Sequence, residues 1–268
     1  MYNLEKRLSA FLDISTYCNA ACPQCHRTDR KGLGKIDWLP LIFWDLDKFK
    51  RAFSPKDVLR HYQFIFCGTW GDPVMNPHLD KILDYVNDNS LPDTDIIINT
   101  NGSIRDEDWW YKLGLTHGKK LTVVFAVDGS TQEMHEKYRK KTNLQKVLNN
   151  MEALSETDSI AKVHTIIFKH NENYLKDIAL LVQKYGAIEY SGIPSNRFEG
   201  IETSSWVYME NDEMNYLERI TENKVMLKEK DVKEILPNVD NTVIAQSIYL
   251  KNPYFHVRLK RPIKWHKE

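Results

Sequence analysis

Three of the four cysteines, Cys18, Cys22 and Cys25, sit in one short stretch, Cys18-Asn19-Ala20-Ala21-Cys22-Pro23-Gln24-Cys25-His26, and the fourth, Cys67, lies far away in sequence. Gaps of three and then two residues crowd the three thiols closely enough to hold one metal centre. An apolar run, Leu8 to Ile14, comes first, so the loop hangs from the end of a strand. Any fold must therefore present that strand end at a working surface. Two donor sets are open at this point. One is three thiolates on a cubane iron–sulfur cluster, which leaves one iron open. The other is a structural zinc held by Cys18, Cys22, Cys25 and His26, in a non-catalytic module. Adjacent Cys25 and His26 chelate a single tetrahedral ion awkwardly, and no second ligand pair follows at finger spacing.

The rest of the chain alternates apolar, β-rich runs with longer amphipathic ones. Strands are expected at Leu8–Ile14, Tyr62–Cys67, Asp95–Asn99, Leu121–Val127, Ala161–Phe168 and Ala187–Ile193. Helices are expected at Pro40–Phe49, Pro77–Asn87, Asp106–Leu113, Thr131–Lys140, Leu144–Leu154 and Tyr174–Tyr185, and Lys31–Lys35 reads as flexible. Alternation of this kind argues for parallel βαβ units. Six of them predict an α/β fold, a partial (β/α)6 barrel over residues 1–201, with a doubly wound sheet as the alternative. Residues 202–268 read as a C-terminal extension that caps the barrel or contacts substrate. Within it Met209–Glu234 reads as helical, Val239–Lys251 as strand or helix, and Arg258–Lys267 as a basic tail with Tyr254, Phe255 and Trp265 nearby.

The chain has 268 residues, with 37 basic and 37 acidic side chains, so net charge gives no reason to expect nucleic acid or a membrane as partner. No apolar run is long enough to span a bilayer, and the first residues contain no signal-peptide core. A cytoplasmic protein is expected, and in a reducing compartment crowded cysteines bind metal rather than pair.

In parallel α/β folds the working residues gather on loops after the C-terminal ends of strands. Each expected strand here is followed by something chemically distinctive. The cysteine loop follows the first strand, and Gly68-Thr69-Trp70-Gly71-Asp72-Pro73 the second. Thr100-Asn101-Gly102 follows the third, and Asp128-Gly129-Ser130, with His135 and Arg139, the fourth. Lys169-His170-Asn171 follows the fifth and Pro194-Ser195-Asn196-Arg197 the sixth. Six such loops on one face make a single site.

With those residues in view, Cys18-x-x-x-Cys22-x-x-Cys25 after a first strand resembles the signature of the radical S-adenosylmethionine (SAM) superfamily. Trp70-Gly71-Asp72-Pro73 resembles that family's Gly-Gly-Glu-Pro motif, with Trp and Asp in place of the first Gly and the Glu. Ile96 to Gly102 and Val123 to Arg139 resemble its third and fourth strands, the latter as in the peptide-modifying and sulfatase-maturing branch. The resemblance implies one 4Fe-4S cluster on Cys18, Cys22 and Cys25. It further implies SAM on the open iron, reductive cleavage to methionine and a 5′-deoxyadenosyl radical, and hydrogen abstraction from substrate. It implies SAM contacts from His26, through its backbone, and from Gly71, Asp72, Asn99, Asn101, Asp128, Arg139 and Asn171. Asp72 would face the methionyl amine and Arg139 the carboxylate. Gln24 departs from the aromatic common before the third cysteine.

Arg197 is a weaker candidate for substrate contact, and Cys67 could donate a hydrogen atom to a product radical. No cysteine follows Cys67, so no cysteine-held auxiliary cluster is expected. An external reductant such as flavodoxin or ferredoxin is implied. A peptide or amino-acid-like substrate is expected first; a nucleotide or nucleic acid is the alternative, on account of the basic tail.

Overall fold

The computed structural model describes residues 7–198, 204–220, 231, 234–235 and 255–259. Its strands and helices alternate: β1 (Leu8–Leu12), α1 (Leu46–Ala52), α2 (Pro55–Leu59), β2 (His61–Phe66), α3 (Leu79–Asn89), β3 (Asp95–Thr100) and α4 (Glu107–His117). There follow β4 (Leu121–Ala126), α5 (Gln132–Glu136), α6 (Leu144–Ser155), β5 (Ile160–Ile167), α7 (Leu175–Lys184), β6 (Glu189–Pro194), β7 (Ser205–Glu210), β8 (Glu213–Glu218) and β9 (Phe255–Arg258). Strands β1 to β6 pair in chain order, all parallel, and β9 adds antiparallel to β6. The sheet stays open between β1 and β9, so the expected partial barrel of parallel strands is what forms.

Side-chain alternation explains which face is packed. In β5 every second residue is buried and its neighbours are half-buried. The buried set, with Phe64, Phe66, Ile96, Ile98, Val123, Phe125 and Val163, meets the helices. Helix α3 buries Leu79, Ile82, Leu83 and Val86, the i, i+3, i+4, i+7 stripe of an amphipathic helix. Each such side chain contributes roughly 1.5–3 kcal/mol on burial. The inner face carries the half-buried set, so the concave side of the sheet is left for a ligand.

Several local expectations are corrected. The helix expected from Pro40 starts only at Leu46, capped by Asp45 accepting from the Lys48 N–H. The preceding apolar residues instead pair with the segment after β1, through Ser15 with Phe43 and the Thr16 N–H to Ile42 O at 2.9 Å. Helix α2 is not among the expected helices, although a Ser54/Asp57 capping box with Pro at the first position marks its start. The expected helix Thr131–Lys140 is only one turn, α5. Lys31–Lys35 is not loose: the Asp29 N–H donates to Gly34 O at 2.8 Å, and Leu33 is buried despite a positive φ of 55°.

The helix expected over Met209–Glu234 is instead a β-hairpin, β7–β8, as far as Glu218, while the described Asp231 and Glu234 are helical. Asn211 and Asp212 take φ of 52° and 64°, the positive values a two-residue hairpin turn needs and that Asn and Asp tolerate. Phe255, Val257 and Leu259 are core residues rather than part of a solvated tail, because β9 completes the sheet edge. Val239–Lys251, Tyr254 and Trp265 lie outside the described residues. Among the described residues no helix is long and apolar enough to cross a membrane.

The β6–β9 seam carries one polar clasp. The Glu189 carboxylate lies 2.8 Å from Lys162 Nζ and 2.9 Å from His256 Nε2. Burial opposes its charge, but these two partners outweigh burial and hold its pKa down at about 2. The carboxylate therefore stabilises the fold above the ordinary Glu range, and that stabilisation is lost as pH falls through about 2. The stability difference between wild type and Glu189→Gln, measured by urea unfolding, should shrink as pH drops across that window. A difference that does not change with pH would contradict the clasp.

Candidate functional site

The cysteine loop winds as consecutive tight turns, with the Cys25 N–H on Cys22 O at 2.9 Å and the Thr28 N–H on Cys25 O at 3.0 Å. It sits on a small second core in which Ala20, Ala21 and Cys22 pack with Leu33, Tyr138, Phe168 and Phe198, and with Tyr208 and Leu217 of the hairpin. The hairpin is pinned there by Lys140 to Glu210 at 2.6 Å, by the Met209 N–H to Arg30 O at 2.7 Å and by Trp206 Nε1 to Pro23 O at 3.1 Å. An apolar seat of this kind fixes the loop without using its thiols.

The three thiols line one cavity of about 380 Å3 at the C-terminal ends of the strands. Asn101 Nδ2 points at Cys18 Sγ from 3.8 Å and Arg139 Nη1 at Cys22 Sγ from 3.9 Å. Burial, aided by the Asp72 carboxylate, pushes the Cys18 thiol far above its ordinary pKa; burial pushes Cys22 up to about 11 against the pull of Arg139. Such thiols ionise only when a metal takes the thiolate. The donor set, with N–H groups aimed at sulfur, fits a thiolate-held metal group. His26, the fourth ligand that a zinc site would need, is exposed, its ring 6.0 Å from that of Trp70.

Asp72 is buried at the end of β2 and ties that loop to the β3 loop. Its carboxylate accepts from the Val74 N–H at 3.0 Å, Thr100 Oγ1 at 2.9 Å, the Asn101 N–H at 2.8 Å and Asn101 Nδ2 at 2.7 Å. Those four donors occupy the lone-pair directions a carboxylate offers. Asp72 therefore orients Asn101, whose amide also faces Cys18. Gly71 is required for a protein contact: a Cβ there would stand 2.4 Å from Ser15 O. The Asp72 N–H donates to Tyr17 O at 2.7 Å, so this close approach docks the β2 loop under the cysteine loop.

Asp128 and Arg139 form a buried ion pair through Arg139 Nε. The second Asp128 oxygen accepts from the Ile166 N–H at 2.6 Å, and the Asp128 N–H donates to His135 Nδ1 at 3.2 Å. Burial, with Arg139 nearby, drops His135 to about 3, so it stays neutral as that acceptor. Asn171 is fully buried and fully used: its Oδ1 accepts from the Phe168 N–H at 2.8 Å, and its Nδ2 donates to Asp128 O and Ile166 O at 3.0 Å each.

The 380 Å3 cavity thus brings together Cys18, Cys22, Cys25, Cys67, Gly71, Asp72, Asn99, Asn101 and Arg139. Asp128 and Asn171 stand behind its wall, and His26 borders an adjoining cavity of about 670 Å3. Sequence reasoning missed Arg27, Val124 and His164 as lining residues. His164 is an inward position of β5 by the period-two rule, which could have found it; burial drops its pKa to about 4.

The sequence matches the radical SAM superfamily over residues 12–182, more than half of the chain. The chain belongs to that superfamily, whose members are enzymes that use SAM together with an iron–sulfur cluster. No curated protein matches it in sequence. Among solved structures, SuiB of Streptococcus suis bound to its precursor peptide SuiA is similar, with a TM-score of 0.56 and 12% identity over 90% of this chain and 47% of SuiB. The enzyme anSMEcpe with AdoMet and a peptide bound has a TM-score of 0.53 and 16% identity over 87% of this chain and 58% of that one. TYW1 with a lysine-pyruvate adduct bound has a TM-score of 0.51 and 10% identity over 96% of this chain and 79% of that one. At these identities the likeness is one of fold. The chain spans about half the length of SuiB. Superfamily membership removes the reading of a non-catalytic zinc module.

Proposed function

We propose that this chain holds one 4Fe-4S cluster on Cys18, Cys22 and Cys25, binds SAM in the cavity those thiols line, and starts hydrogen abstraction from a peptide. The observation that carries the reading is three thiols on the wall of one cavity at the C-terminal ends of parallel strands. Bound there, the cluster and SAM would supply reductive cleavage of the sulfonium to methionine and a 5′-deoxyadenosyl radical that takes a substrate hydrogen.

The chain's own residues bind and orient. Arg139, clamped by Asp128 through Nε, keeps its outer nitrogens on the cavity side, where they suit the carboxylate of SAM. Asp72 acts on the ammonium end by charge, since its lone pairs are engaged, and it positions Asn101. Asn99 and the Gly71 backbone complete that wall, and His26 lies where its backbone can meet the adenine. Asp128 and Asn171 are positioning residues that hold Arg139 and the β4–β5 loops in register. Cys67 is the thiol outside the loop that faces the cavity, and it is the candidate hydrogen donor to a product radical. Turnover unchanged in Cys67→Ala would remove that role.

An external one-electron reductant of the flavodoxin or ferredoxin class is required. The peptide reading is supported by SuiB and anSMEcpe, each of which carries a peptide in its solved structure. Burial of Phe255 takes an aromatic away from the nucleic-acid alternative. The proposed division is a barrel over residues 1–201 and an extension over 202–268; of the extension, the described β9 adds a sheet strand and the described hairpin β7–β8 covers the cysteine loop. Anaerobic reconstitution with iron and sulfide tests the cluster. The wild type should take up about four irons per chain and absorb broadly in the visible, and Cys22→Ala should lose the chromophore. A colourless wild type retaining one zinc would overturn the reading.

A further inference from the structure

Beside the cluster cavity lies the larger one of about 670 Å3, and the two share Cys25 and Arg197. Gln24 and Thr28 form part of its wall; Gln24 is 1% exposed and its Oε1 accepts from Ser195 Oγ at 2.6 Å, so its side chain is held in the wall rather than in the cavity.

Charge identifies the ligand's sign. Arg30 and Arg197 both line this cavity, and among its described lining residues there is no Asp or Glu. Arg30 lies over the Trp206 ring, its Cζ 3.5 Å from the centroid, and Trp206 is fixed by its bond to Pro23 O. Arg197 reaches Gln24 O through Nη1. Guanidinium forks are planar donors that match a planar carboxylate. The Trp206 ring beside them suits the methylene stem that carries one.

We infer that this second cavity binds a carboxylate of the substrate, an acidic side chain or a free C-terminus, and so anchors the peptide beside the cluster cavity. The inference rests on the peptide reading above and deepens it.

The test uses the reconstituted enzyme with SAM and fluorescent, degenerate nonapeptide pools fixed at the centre as Glu, Gln, Lys or phosphoserine. Each pool is made with an amidated and with a free C-terminus. Binding is read by anisotropy. The Glu pool, or any free-acid pool, should bind about tenfold or more tighter than the amidated Gln pool, as expected when charge-assisted hydrogen bonds are lost. Arg197→Gln should narrow that gap. Arg30→Glu, at an exposed position, should turn the preference towards the Lys pool.

Preference for centre or terminus tells which carboxylate is read, and either supports the inference. Equal binding of all pools, or a gap that the variants leave intact, overturns it. So does an Arg197-dependent preference for phosphoserine over Glu. Formation of 5′-deoxyadenosine without peptide, measured in the same preparations, reports separately on the radical SAM reading and on the folding of each variant.

Discussion

Replacing Asp128 by alanine should destabilise the fold by about 3–5 kcal/mol, the range for removing one partner of a buried ion pair. Asp128 is fully buried, and Arg139 has 16% of its side chain exposed. Without the carboxylate, the guanidinium keeps its charge in a poorly solvated place beside Cys22 Sγ and the Tyr138 ring. The Ile166 N–H also loses its acceptor. The ends of β4 and β5 and the segment after α5 are therefore released together. A urea midpoint that falls steeply in Asp128→Ala, and less in Asp128→Asn, is the expected pattern, since the amide oxygen can still serve the Ile166 N–H. If both variants keep the wild-type midpoint, the pair is not what holds Arg139.

Asp72→Asn should be nearly as damaging, and it separates two roles. Every donor around Asp72 points at it, so the introduced amide would set its own N–H groups against Thr100 or Asn101. About 1–3 kcal/mol is expected for each buried donor left unpaired. Asn101 would then lose its orientation towards Cys18, and SAM affinity should fall along with stability. Calorimetric SAM binding and urea unfolding on the same variant test this. Loss of SAM binding with unchanged stability would mean that Asp72 acts on the ligand alone, against the geometry.

Both aspartates stand out in sequence by their place after a strand, but the contacts they make do not. A Gly-Asp-Pro turn after a strand announces a carboxylate at the sheet's working edge. It says nothing of which donors fold back onto it, because Thr100 and Asn101 come from a strand that is distant in sequence. Gly71 has the same lesson: its need for space was readable, but the atom that fills the space, Ser15 O, belongs to another strand's exit. The six parallel strands were readable because each is a β-rich run set between amphipathic helices.

The hairpin β7–β8 does not read as strands because both its faces carry apolar residues, Tyr208 and Leu217 buried and Val207, Met214 and Tyr216 exposed, which hides the period-two alternation, although Asn211-Asp212 marks the turn. The second cavity was invisible for a different reason. Gln24, Thr28, Arg30 and Arg197 are unremarkable singly, and only packing of the hairpin and the β6 exit around the cysteine loop brings them together.

The most direct measurement of the central claim is 5′-deoxyadenosine formation by the anaerobically reconstituted protein with SAM and dithionite. The wild type should form it in multiple equivalents or in one burst per chain, and Cys18→Ala, Cys22→Ala and Cys25→Ala should each form none. Formation that persists in any of the three variants, or a wild type that binds iron and sulfide yet leaves SAM intact, would contradict the assignment.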